Sequence, residues 1–236
     1  MSAETSSRSA ILAKVRAAIK DKHDEHDKHA AGETRDVENT KDTMTRNYRT
    51  QALGDRKAVL DRLVDRLIDY DAHVAVCLPG ELAATVAALL ARRAVELRLR
   101  RLVAPQGLPA SAMPPGFDFV VDGSGGHLLT AAELDQIDGV VTSATIAIAE
   151  TGTLVLQNAP GQGRRALSLV PDYHCCIVAV EDIVATVPEA FARLQATASL
   201  PTTFISGPSA TADIEMTRIK GVHGPRFLDV LLVRSA

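Results

Sequence analysis

Tryptophan is absent from this 236-residue chain, and aromatic residues together make up only 3% of it. Proteins that grip single-stranded nucleic acid stack bases on aromatic rings, so that class of function has little to work with here. A flavin sandwiched between such rings is disfavoured for the same reason. There is no basic excess either. Its 26 Lys and Arg stand against 29 Asp and Glu, a net charge of −3, whereas binding to a phosphate backbone is driven by positive charge; no nucleic-acid partner is expected. The three cysteines, Cys77, Cys175 and Cys176, form no Cys-x-x-Cys pair and are too few for a four-thiolate site. Neither an iron-sulfur cluster nor a disulfide framework is therefore expected within the chain. They lie in the apolar runs HVAVCL and HCCIVAV and read as buried strand residues. No apolar run approaches the roughly 20 residues that span a bilayer, and the opening residues MSAETSSRSA lack the apolar core of a signal peptide. A cytoplasmic protein without membrane insertion is expected.

What is present is a hydrophobic content of 46%, enough for one substantial core. The apolar positions divide the chain. Ile11, Leu12, Val15, Ala18 and Ile19 fall on one face of a short N-terminal helix capped by Ser7. Residues 20–49 are dominated by charged and polar side chains and read as a linker that cannot fold alone. His23, His26 and His29 recur there at helical spacing; a solvated polyampholyte is the favoured reading over metal capture, and no metal site is expected. Residues 1–48 thus form an arm and linker, and residues 49–236 a globular domain. In that domain Leu60, Leu63, Val64, Leu67 and Ile68 mark a helix, residues 74–78 a strand, and Leu82, Val86, Leu89 and Leu90 a second helix. LRLRRLVAP and FDFVVD read as the next strands. Residues 175–180, 202–205 and 227–233 read as later strands and 188–198 as another helix. This alternation predicts a three-layer α/β/α fold with a largely parallel sheet, because parallel strands need crossover connections that cover both faces.

Among the loops, residues 122–127 are glycine-rich but lack the spacing of a phosphate or dinucleotide fingerprint, so an ordinary turn is favoured. Thr130 and Glu133 have capping-box spacing at the start of a short helix over residues 128–138. Arg164 and Arg165 follow a glycine-rich reversal and are the cationic candidates; one of them can hold a carboxylate or phosphate if the turn folds towards residue 150, and a solvated pair is the equal alternative.

Two stretches interrupt apolar strands with polar groups. Glu150, Thr151, Gly152 and Thr153 break IAETGTLVL. Ser206, Gly207, Ser209, Thr211 and Asp213 follow the strand ending at Ile205 in ISGPSATADIE, and His223 and Gly224 lie in GVHGP. Hydroxyls, carboxylates and an imidazole after a strand end are what an α/β protein uses for a binding loop, and no decisive nucleophile stands among them. These three strings, in this order, resemble the lactate-utilization protein C (LutC/YkgG) family, the LUD-domain proteins, from about residue 74 onward. The resemblance makes residues 49–236 a LUD domain. It implies a fold similar to the NagB, ribose-5-phosphate isomerase (RpiA) and CoA-transferase group. It further implies a role beside iron-sulfur partner proteins in bacterial oxidation of L-lactate to pyruvate. Since no flavin, nicotinamide or metal motif is present, the expected role is a non-redox subunit or accessory protein that binds no cofactor of its own and holds a small carboxylate or nucleotide. The alternative is an enzyme of the CoA-transferase or folate cyclo-ligase fold group acting on an acyl, phosphorylated or nucleotide substrate, with Glu150 as the candidate carboxylate by analogy.

Overall fold

The computed structural model describes residues 55–211, 219–220 and 224–234, together with Lys14. The N-terminal helix, the linker and its three histidines lie outside the described residues. By its contacts the chain divides into two compact units, Met1–Tyr48 and Arg49–Ala236, and among the described residues every strand belongs to the second.

Helix α1 (Arg56–Asp69) starts where Asp55 accepts a hydrogen bond from the Ala58 amide at 2.8 Å, satisfying one of the donors that a helix start leaves free. Val59, Leu63 and Leu67 form its buried stripe. Ile68, expected on that stripe, is 56% exposed at the helix end. After strand β1 (His73–Cys77), helix α2 (Leu82–Leu97) buries Val86, Leu89 and Leu90 and ends at Arg98, which takes a left-handed conformation. Strands β2 (Arg101–Pro105) and β3 (Asp118–Asp122) lead to helix α3 (Ala131–Leu134). The Thr130–Glu133 capping box forms, but the helix spans one turn rather than the expected eleven-residue stretch 128–138. Strands β4 (Gly139–Ser143), β5 (Ile146–Ile148), β6 (Thr153–Gln157), β7 (Tyr173–Ala179) and β8 (Ile183–Val184) follow. Helix α4 (Val187–Leu194), β9 (Thr202–Ile205), β10 (Ala210–Thr211), β11 (Ile219–Lys220) and β12 (Phe227–Val233) complete the order.

The strands form two main sheets where the sequence suggested one. Six strands in the order β1-β12-β7-β4-β2-β3 make a sheet whose pairings are all parallel. β8, β5, β6 and β9 make a second, four-stranded sheet with antiparallel β5–β6 and β6–β9 pairs. β10 and β11 pair separately. Helix α2 covers one face of the parallel sheet, where Val86, Leu89 and Leu90 meet Leu102, Val141, Cys175 and Leu231. The other face carries α1 beside the small sheet: Leu63 and Leu67 share a core with Leu154, Leu156, Cys176, Val178 and Val230. The outer face of the small sheet is closed by Ala190 and Leu194 of α4 against Ile146, Ile148 and Val155. Covered on both faces, β5 and β6 read as continuous apolar runs instead of alternating ones. The result is a three-layer α/β fold around a parallel sheet. Among the described residues no helix is long and apolar enough to cross a membrane.

Candidate functional site

The two motif loops meet. Register Leu154↔Ile205 sets Thr153, at the start of β6, beside Ser206, just after β9, and their hydroxyl oxygens lie 2.8 Å apart. Thr151 extends the chain, with its Oγ1 2.7 Å from that of Thr153. Both loops also sit on the end of α1. Gly152 has φ +61° and packs so closely on Arg66 that a Cβ there would stand 2.8 Å from the Arg66 Cβ. Gly207, at φ +82°, would place one 2.5 Å from the Cβ of Tyr70, which caps α1. Only glycine combines a left-handed backbone with such an approach. Glu150 is exposed on the turn, and its amide donates to the Ala185 carbonyl at 3.0 Å.

On the far side of the β9 loop lies a cavity of about 570 Å³, walled by Ser206, Gly207, Pro208 and Ser209, by Arg165 and Ser168, by Phe204 and Leu169, and by Gly224 and Pro225. The Ser209 amide donates to the Pro225 carbonyl at 2.7 Å, joining two of these walls. Glu150, Thr151, Gly152 and Thr153 are not in the wall; they support it from behind through the Thr153–Ser206 contact. Thr211 pairs with Ile219 in the β10–β11 ribbon. Asp213 and His223 lie outside the described residues.

The adjacent arginines serve different places. Arg164 donates from Nε to Asp122 Oδ2 at 2.9 Å and from Nη2 to Oδ1 at 3.1 Å, and its Nη2 also reaches the Leu129 carbonyl. Burial pushes the Asp122 carboxyl up, but the Arg164 guanidinium and the Leu129 amide outweigh it and hold the group below the usual carboxylate range. Arg165 is exposed in the wall of the 570 Å³ cavity and makes no side-chain ion pair among the described residues. It is the cation that sequence reasoning could not separate from its neighbour, since the separation depends on which way each side chain leaves the turn.

The cysteines are core residues. Cys175 and Cys176 are fully buried and Cys77 nearly so; burial raises all three thiols, Cys176 to about 12, which keeps them protonated and unreactive at neutral pH. A second feature missing from the sequence reading is Asp229, buried in β12. Arg93 Nη2 donates to it at 2.7 Å, Tyr173 Oη at 3.1 Å and Arg92 at 3.1 Å. This cluster stands towards the amino ends of the strands and pins α2 to the sheet. Chemically, the cavity offers the Arg165 guanidinium, which makes no side-chain ion pair among the described residues, and an apolar wall. A guanidinium in such a wall suits an anionic group such as a carboxylate, which accepts paired N–H donors.

Comparison with known proteins agrees with this fold. The LUD domain family model matches residues 130–233. A protein of Deinococcus radiodurans called lactate utilization protein C is 41% identical over 180 residues, 75% of this chain and 81% of that protein. The protein of the same name from Halalkalibacterium halodurans is 40% identical, but over 43% of this chain and 45% of its own length. A crystal structure of a DUF162 family protein from Deinococcus radiodurans superposes with a TM-score of 0.65 at 36% identity, covering 77% of this chain and 99% of that one. With the two motif loops joined at β6 and β9 and a relative this similar along three quarters of its length, the chain belongs to the lactate utilization protein C family of LUD-domain proteins.

Proposed function

We propose that this protein is a non-redox subunit or accessory protein of a bacterial system that oxidises L-lactate to pyruvate. In this reading iron-sulfur partner proteins carry the electrons, and the 570 Å³ cavity holds a small carboxylate. The observation that carries the reading is the 41% identity over 75% of the chain to a protein called lactate utilization protein C. The cavity supports it, because the Arg165 guanidinium in its wall is a paired N–H donor suited to a carboxylate. The cysteines support the placing of the redox centres elsewhere: a cluster needs several thiolates in reach of one another, and these three are buried with raised thiols.

The test is complementation. A Deinococcus radiodurans strain lacking its own lactate utilization protein C is supplied with this chain and grown on L-lactate as carbon source. Restored growth is the expected result, with the purified chain colourless in the visible range. No growth despite normal levels of folded protein overturns the lactate reading, and stoichiometric iron or flavin in the purified chain overturns the non-redox part of it.

A further inference from the structure

A second cavity, of about 480 Å³, opens beyond the carboxyl ends of β2 and β3. Its position is set by topology. β2 pairs with β3 on one side and with β4 on the other, so the chain leaving β2 and the chain leaving β3 run to opposite sides of β2. Such a reversal of strand order opens a crevice at the carboxyl ends, and open α/β sheets bind ligands there.

The walls of this crevice are fixed. Gly107 packs on Pro160, where an added Cβ would stand 2.6 Å from the proline Cβ. The Gly161 amide donates to the Gln106 carbonyl at 2.8 Å, and the Gly161 carbonyl accepts from the Ser143 amide at 2.7 Å. The turn over residues 158–163 is thereby stitched to the ends of both β2 and β4.

The chemistry of the lining excludes a charge-driven ligand. Its one anion, Asp122, and its one cation, Arg164, already neutralise each other with two hydrogen bonds. What remains is polar but uncharged. Gln106 and Asn158 are exposed, and their side-chain amides have no hydrogen-bond partner among the described residues. Arg164 spends Nε and Nη2 on Asp122 and the Leu129 carbonyl, leaving Nη1 as a donor. Beside these groups Leu128, 59% exposed, and Pro160 present apolar faces.

We propose that this crevice binds the heterocyclic base of a nucleoside. A purine or pyrimidine carries adjacent donors and acceptors along a flat edge, which glutamine and asparagine amides pair with in bidentate fashion. Its ring faces are apolar enough to lie against Leu128 and Pro160. The site is separate from the cavity walled by Arg165, so this inference does not depend on the lactate reading.

Calorimetric titration of the full chain with adenosine and with cytidine tests it. Saturable binding of one equivalent is expected for at least one of the two nucleosides. Gln106→Ala and Asn158→Ala, both at exposed positions, should each weaken that binding at least fivefold, while Arg165→Ala leaves it unchanged. Circular dichroism melts on the same samples keep loss of folding apart from loss of binding. No saturable binding of either nucleoside up to millimolar concentration overturns the proposal, as does binding that both amide variants leave untouched.

Discussion

The hydroxyls of Thr153 and Ser206 lie 2.8 Å apart, joining a turn and a loop that are 53 residues distant in sequence, and the glycine next to each docks on the same helix end. Gly152 meets Arg66 and Gly207 meets Tyr70. Packing and backbone angle alone therefore require glycine at both positions.

Gly152→Ala and Gly207→Ala should each destabilise the protein by about 2 kcal/mol, because an L side chain is strained at positive φ and the new Cβ meets α1 or its cap. Gly80 is the control. It has no positive φ, and nothing lies within 4 Å of an added Cβ, so Gly80→Ala should stay within about 0.5 kcal/mol of the parent. Urea denaturation of the three variants measures this; equal midpoints for Gly80→Ala and Gly207→Ala would remove the docking account.

Much of this architecture can be read from local pattern. The apolar runs at β1 and β12 are long enough to announce themselves, and the stripes of α1 and α2 have helical period. β4 does not announce itself, since Gly139–Ser143 holds only two large apolar residues, and the Thr142 hydroxyl is tolerated in the core because it lies 2.8 Å from His174 Nε2. The second sheet depends on pairing between β6 and β9, and a local window carries no record of a partner so far along the chain. Asp229 within FLDVLLV is explained by arginines 136 and 137 residues away and by the Tyr173 hydroxyl 56 residues away. For the site, the polar breaks in apolar strands were visible in the sequence. That the 150–153 turn backs the cavity instead of lining it required the geometry of α1.

Arg164 and Arg165 should separate cleanly in mutagenesis. Arg164→Ala leaves the buried Asp122 carboxylate without its cation, and removing one partner of a buried pair costs about 3 kcal/mol. Adding Asp122→Asn should recover part of that loss, the non-additivity that marks a direct interaction. Arg165→Ala should keep stability within about 0.5 kcal/mol yet reduce lactate-dependent growth in the complementation assay, where loss of a paired donor to a carboxylate is felt. Urea midpoints and growth rates on the same variants decide the matter. Normal growth with Arg165→Ala would end the carboxylate assignment while leaving the Arg164 result unaffected.

His174 should be the first group to lower stability as the pH falls. Burial lowers its pKa to about 4, against about 6.5 in an unfolded chain. Between those values the unfolded chain binds a proton that the native protein does not, so stability falls as pH falls. The contribution is intact above about pH 6.5 and declines by up to about 1.4 kcal/mol per pH unit, a total near 3 kcal/mol by pH 4. His73, lowered by burial and by the nearby Arg92, adds in the same sense. Asp122 acts later: its carboxyl is held below the usual range, so its stabilising contribution is lost only as pH falls below about 3.9 and on through its native pKa. The first loss therefore belongs to the histidines. His174→Gln retains a hydrogen-bonding group for Thr142 without a titrating ring, and its urea midpoint should decline less steeply than the parent's between pH 6.5 and pH 4.5. Parallel declines in the two proteins would show that another group governs acid unfolding.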